Sequence, residues 1–283
     1  MKVISAQAAR PKGSVRDVMA YLKWVWARRD LVTAIAHSEL KQTVIGSRLS
    51  YLWWLMEPLF ALVCYIFLVL VLSRGKGLPV PFPLWILTAL MPWTWMTGCT
   101  MGAVRMWNQY QSTITQIRFP YLVLVFSRFL HELVLYVISY VILFGACIAY
   151  GYFPRAAWAL LPVVIAMHGL LVLALMLFAS VLSWYFADLD RVLPFVLRLW
   201  FFSSPALYSI SMLDKYPVAQ KLMHYNPMYH VFACYRACFF SGVEGFVFPQ
   251  WWELAIYLAA TGACVLAGLA LFIRKEPYIT RHI

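Results

Sequence analysis

Long runs of apolar side chains, each about the length of a bilayer crossing, recur along this chain from Leu49 onward and limit what it can fold into. A helix needs about 20 apolar residues to cross a hydrocarbon layer about 30 Å thick. Within that layer only helices and closed barrels satisfy their own backbone polar groups. Composition agrees: 64% of the 283 residues are hydrophobic and 12% are charged, against roughly 45–50% and about 25% in soluble domains. One core cannot hide that excess, so lipid must solvate it. The expected fold is an all-α membrane protein.

Six spans are expected: Leu49 to Leu72, Leu84 to Val104, Phe119 to Tyr150, Ala159 to Phe186, Val192 to Tyr208 and Leu254 to Ile273. They divide the chain into an arm over 1–48, a six-span domain over 49–273 and a tail over 274–283. Within the second span, the Gly98-x-x-x-Gly102 pair permits close approach of another helix. From Ser209 to Trp252 the chain is too apolar for a solvated loop. It is also too often broken, by Asp214, Lys215, Pro217, Asn226-Pro227 and Gly242, for a full crossing. Re-entrant half-helices over about 213–252 fit this pattern, broken backbone being tolerated where protein surrounds it; two complete spans are the alternative.

The arm is basic and lacks the apolar stretch and cleavage site of a secretory signal. Val15, Val18, Met19, Leu22, Val25 and Trp26 recur at helical spacing among charged residues. That pattern predicts an amphipathic interface helix reaching to Val44, its cations toward anionic headgroups; a plain charged anchor is the alternative. With the N-terminus inside, the outer segments receive Arg74, Lys76, Arg155, Lys215, Lys221 and Arg236, and the remaining 17 of the 23 Lys and Arg lie on the cytoplasmic side. The charge of +12 thus sets orientation, with both termini inside, and nucleic-acid binding has no support.

The chemistry is notable for what is missing. No Gly-x-x-x-x-Gly-Lys-Ser/Thr loop is present to cradle nucleotide phosphate, so active transport must draw on an ion gradient or a separate ATPase. Ionisable residues fall mostly at span ends, including Glu57, Arg105, Arg128, Glu132, Asp188, Asp190 and Arg198. His168 alone sits near a span centre; a hydrogen bond to a neighbouring helix is the expected role, a proton relay the alternative. Glu132 is one turn from Arg128 and suits a structural ion pair. His230, Cys234 and Cys238 share a helical face, with His224 upstream, but match no standard zinc spacing, and small-residue packing explains them. Cys64, Cys99, Cys147 and Cys264 lie in apolar stretches and act as small hydrophobes. Aromatic residues near span ends suit interface belts. Those on several faces of the fifth span (Trp200, Phe201, Phe202 and Tyr208), with Trp93 and Trp95, also suit a pathway for sugar rings, which present apolar C–H faces.

The chain resembles the type-2 ABC exporter permeases, specifically those that export lipid-linked polysaccharides such as O-antigen, capsule or teichoic acid. The resemblance runs from about Arg28 to Ile273. It is carried by Leu49, Tyr51, Leu52, Trp53, Leu55, Glu57 and Pro58 at the entry to the first span, then by Asn108, Ile114, Ile117 and Phe119-Pro120. Asp188-Leu189, Leu193-Pro194, Ser204-Pro205 with Tyr208, Asn226-Pro227 and Arg236 follow in order. The family often has arginine before that aspartate, where Ala187 stands here, so that arginine's role does not carry over. Glu57-Pro58 leans toward capsule-type members, and Ser204-Pro205 toward O-antigen types.

The resemblance implies a transport subunit, not an enzyme, with no cofactor of its own. ATP and Mg would be held by two copies of a partner ATPase in the bacterial inner membrane. Contact with that ATPase would fall on Asn108, Gln109, Tyr110, Ile114, Ile117, Arg118, Phe119 and Pro120. Arg28, Arg29, Arg48, Glu57, Asp188, Asp190 and Arg191 would form a cytoplasmic gate or interface. Trp93, Trp95, Trp200, Phe201, Phe202, Tyr208 and Arg236 would flank the substrate. Six spans make half a conduit, which a two-fold homodimer completes, and a periplasmic partner is a further expectation. A drug or lipid exporter of the same superfamily, a membrane-embedded transferase using Asp188, Asp190 and His131, and an ion-coupled carrier are the competing readings.

Overall fold

The computed structural model describes residues 15–44, 56, 59–67, 78–117 and 119–279. Most of the expected first span lies outside these residues, as do Arg48, Glu57 and Arg118 and the arm and tail ends. Among the described residues all regular structure is helical. In order these are α1 (Val15–Trp26), α2 (Arg29–Val44), α3 (59–67), α4 (Phe82–Gln109), α5 (Gln111–Gln116) and α6 (Leu122–Ala149). They are followed by α7 (Leu161–Tyr185), α8 (Leu189–Ser203), α9 (Pro217–His224), α10 (Pro227–Phe239) and α11 (Trp251–Ile279).

Among the described residues three helical stretches are long and apolar enough to cross a membrane: Leu122–Ala149, Ala156–Tyr185 and Trp251–Ile279. The middle one begins with a 3-10 turn, Ala156–Leu160, ahead of α7. At 28 residues α4 equals α6 in length. It packs between α6 and α7, and α11 lies along the other side of α7. Because α4, α7 and α11 end beside the start of α6, one end of the bundle gathers Trp107, Tyr121, Tyr185 and Lys275. Prolines start several helices where their missing N–H costs nothing: Pro217 opens α9, and Pro227 opens α10 behind Asn226, whose side chain accepts from the Met228 N–H at 3.1 Å. Gly151, with φ +82°, turns the chain out of α6 in the left-handed conformation that suits glycine.

Two boundaries differ from the sequence pattern. The arm is two helices, not one. Its apolar period stops at Trp26, and the Arg28 N–H closes a tighter turn onto the Val25 carbonyl at 2.9 Å before α2 sets off against α6. The fifth apolar run is helical only to Ser203, because Ser204-Pro205 stops it and Tyr208 falls beyond. At 15 residues, α8 is about 22 Å long, short of a full hydrocarbon crossing of about 30 Å. Between α8 and α11 no helix exceeds the 13 residues of α10, which excludes the alternative of two complete spans there. Protein encloses α10 on most sides, with Phe232, Tyr235 and Phe239 almost wholly buried.

The glycine pair of α4 does admit α6, and in a specific way. A Cβ on Gly98 would stand 2.7 Å from Glu132 Oε2, while one on Gly102 would meet the Arg128 stem, its Cγ at 2.7 Å and Cδ at 2.8 Å. The ion pair on α6, Arg128 Nη2 to Glu132 Oε1 at 2.5 Å, therefore lies across the two glycines. Gly102→Ala should destabilise the purified chain by about 1–3 kcal/mol through overpacking. Gly98→Ala should cost less, since it meets only a carboxylate tip. Thermal unfolding in detergent checks the order; equal effects would contradict this packing.

Candidate functional site

At the bundle end where α4 finishes, the chain runs through a short polar excursion before α6 begins. Asn108 and Gln109 form the exposed last turn of α4, Tyr110 breaks the helix, and α5 is a six-residue helix. Ile114 turns inward and is buried, Ile117 is exposed, and Phe119 and Pro120 are buried again as the chain returns to the bundle. The excursion thus offers an exposed polar face anchored by apolar residues from below.

Side chains from distant elements brace it at both ends. At the entry, the Tyr110 hydroxyl donates to Oε1 of Glu39 on α2. Burial first, and then the Glu39 carboxylate, push the Tyr110 phenol well above its ordinary value, so it remains a donor. Glu39 is 5% exposed, with its Oε2 lying 3.6 Å from Arg128 Nη1 and 3.8 Å from His131 Nδ1. Glu132 also lies 3.8 Å from His131 Nδ1. One guanidinium therefore meets two carboxylates where α2, α4 and α6 touch.

At the exit, Glu276 near the end of α11 accepts from the Tyr121 N–H at 3.0 Å, and the Leu122 N–H donates to the Tyr21 hydroxyl of α1 at 3.4 Å. These are first-turn amides of α6, which have no partner within their own helix, so residues from α11 and α1 cap it. Burial, followed by the nearby Glu276 carboxylate, holds the Tyr21 phenol well above its ordinary value. Trp107 Nε1 donates to the Ser180 carbonyl at 2.6 Å, and the Trp107 ring lies against Tyr121 and Phe272. The two ends of the excursion, Trp107 and Tyr110 on one side and Tyr121 and Leu122 on the other, are consequently tied to α7, α2, α11 and α1. Glu39 and Glu276 carry no signal in the chain's periodicity, whereas Tyr21 falls at the apolar spacing of α1 between Val18 and Val25. Its place as the one acidic residue in the second half of α2 is the feature that marks Glu39.

The other expected site residues separate into groups. Arg28 and Arg29 are exposed at the turn between α1 and α2, with Arg29 5.9 Å from the Trp26 ring centre. Asp188 pairs with Arg191 at 3.2 Å on an exposed turn before α8, and Asp190 is half-buried beside them. Trp93 meets Trp200 and Phe201 with ring centres 5.5 and 5.2 Å apart. Phe201 and Phe202 both approach Tyr65 of α3. Trp95 instead faces α6 and α7, stacked on Tyr136 at 4.7 Å and against His168 at 4.9 Å. Tyr208 donates to the Ser203 carbonyl at 3.0 Å, apart from these rings.

Arg236 is deep inside, 3.5 Å from the Trp85 ring centre, donating to the Pro205, Ala206 and Trp85 carbonyls at 2.9, 3.2 and 3.4 Å. Among the described residues neither ring nitrogen of His168 has a hydrogen-bond partner, contrary to the bond expected for it, because Trp95 and Tyr235 rings crowd it. Among the same residues no three of His, Cys, Asp and Glu converge as a metal site.

Known proteins match this chain over most of its length. The profile described as "ABC-2 type transporter" matches residues 30–240. A protein named "O-antigen export system permease protein RfbA" from Myxococcus xanthus is 29% identical over 213 residues, covering 75% of this chain and 81% of its own length. A protein of the same name from Klebsiella pneumoniae is 24% identical over 247 residues, covering 86% and 91%.

Proposed function

The chain belongs to the ABC-2 type transporter family, and on that premise we propose that it is the membrane permease subunit of an exporter moving lipid-linked polysaccharide from the cytoplasmic to the outer side of the inner membrane. A separate ATPase, binding ATP and Mg, supplies the energy. The observation that carries this reading is the excursion over 108–120. It presents Asn108, Gln109 and the α5 surface outward while Trp107, Tyr110, Tyr121 and Leu122 fasten its two ends to four other helices. A surface built this way receives a push from outside the bilayer and hands it to the bundle. The polysaccharide cargo is favoured over a drug because both relatives above are named as O-antigen export permeases.

The remaining features fall in with this reading. The chain would cross six times with both ends inside, and the region from α9 to α10 would dip into the outer leaflet. Two copies, each with its ATPase, would enclose the conduit; the apolar exposed side of α8 (Phe195, Leu199 and Phe202) suits such a contact. The Trp93, Trp200, Phe201 and Phe202 rings would line it. Exposed Met19, Trp24 and Trp26 on α1 suit the headgroup boundary. A periplasmic partner would dock on the outer rim. The transferase reading is weaker, since His131 faces Glu39 and Glu132 while Asp188 is committed to Arg191.

Cells lacking the chain are expected to lose surface glycan and to accumulate lipid-linked polymer inside, and the tagged chain is expected to bring down an ATPase. Transport of cargo by the purified chain alone would overturn the proposal. Labelling of residues 108–117 from outside intact cells would overturn it equally.

A further inference from the structure

A cavity of about 210 Å³ opens between α3, α4 and α8. Ligand sites for drug-sized molecules hold roughly 300–1,000 Å³, so this one takes a single ring or head group. Its walls include Tyr65, Trp93, Thr97, Arg198 and Phe201. Arg198 stands on the same stripe of α8 as Pro194, Leu197 and Phe201, all of which face this space. Among the described residues no carboxylate pairs with it: the arginine ion pairs there belong to Arg128 and Arg191. Nor does it end a helix, because α8 runs on to Ser203.

Arg198 is exposed where this space opens, so its guanidinium can reach a ligand entering it, and a charge within a helix of a membrane-embedded bundle is retained where it meets a ligand or a water-filled path. The planar guanidinium fits the oxygens of a phosphate or carboxylate two at a time. The rings beside it present faces that cover an apolar surface. The Thr97 hydroxyl donates to α4 carbonyls at 3.0 Å, leaving its oxygen lone pairs as an acceptor for a hydroxyl. Cation, ring face and acceptor in one ring-sized space form the complement of a sugar bearing a negative charge.

We infer that this cavity seats one anionic sugar unit of the cargo, either a glycosyl phosphate or a uronic acid. Arg198 holds the anion, while Trp93 and Phe201 cover the ring. The inference rests on the exporter reading above and adds to it the charge of the recognised unit.

The test uses the full chain with its ATPase in lipid nanodiscs, titrated with glucose 1-phosphate, glucuronic acid, glucose and inorganic phosphate. At least one charged sugar is expected to bind about tenfold more tightly than glucose, as one charge-assisted bidentate contact predicts. Arg198→Gln should remove that preference, and Arg198→Lys should keep part of it. A response to glucose 1-phosphate alone identifies the linkage phosphate, and a response to glucuronic acid alone identifies a sugar carboxylate; each supports the seat. Equal binding of glucose and the charged sugars overturns it. So does wild-type binding by Arg198→Gln, or inorganic phosphate binding as tightly as glucose 1-phosphate.

Export in cells separates the two ideas. Surface glycan unchanged on deletion of the chain defeats the exporter reading itself. Glycan lost on deletion but exported at the wild-type rate by Arg198→Gln defeats only the seat.

Discussion

Replacing Glu39 with alanine should uncouple ATP hydrolysis from export. The substitution leaves the Tyr110 hydroxyl and the Arg128 guanidinium without the carboxylate that joins α2 to α4 and α6. Breaking a buried pair by removing one partner costs about 3–5 kcal/mol. The lower end applies here, because the Arg128 side chain is 25% exposed and keeps Glu132 at 2.5 Å. Hydrolysis by the assembled complex should continue, while export per ATP falls by about tenfold, the equivalent of ~1.4 kcal/mol of coupling. A loss of fold alone would lower both together, so their ratio is the informative quantity. Glu39→Ala and Arg128→Ala in one chain should fall short of additivity by about 1–3 kcal/mol in unfolding stability. Strict additivity would mean that the two side chains do not act on each other.

A second large effect is expected at Arg236. Its guanidinium, 5% exposed, is the donor for the carbonyls of Pro205 and Ala206, where α8 has just ended, and for Trp85 near the start of α4. Arg236→Ala orphans three acceptors and opens a cavity under the Trp85 ring. An unsatisfied buried group costs about 1–3 kcal/mol and a large-to-small core change about 2–5 kcal/mol, so the variant should unfold many degrees lower or be degraded in cells. Arg236→Lys should recover only part, because one ammonium cannot reproduce the planar fork. Protease digestion should show residues 204–250 opening first. A wild-type unfolding temperature for Arg236→Ala would refute this role as a strut.

Much of the bundle could be read from the chain because burial in lipid writes a long, simple signal. The apolar runs placed both ends of α6 and α7 and the start of α11 within a few residues, though α11 runs on past the expected Ile273 to Ile279, and the glycine spacing announced a close neighbour for α4. The identity of that neighbour was not legible, since nothing in the order of residues says that an ion pair, rather than a bare helix face, fills the groove. Glu39 was hidden for a related reason: its partner Arg128 lies far along the chain, and only the packing of α2 on α6 brings them together. Trp93 and Trp95 show the opposite case. Two positions apart on a helix they point about 200° away from each other. Their separate surroundings, Trp200 for one and Tyr136 for the other, follow from helical geometry alone.

Helix α4 continues without a proline from Trp93 to Asn108, a rod of about 22 Å. One tip of it is the outward polar face, and the other is a wall of the cavity against α8. Levers of this kind need no relay of small rearrangements: tilting the exposed tip swings the far tryptophan through the same angle. The grip on a sugar would thus loosen or tighten in the same stroke that a partner protein makes at the membrane surface.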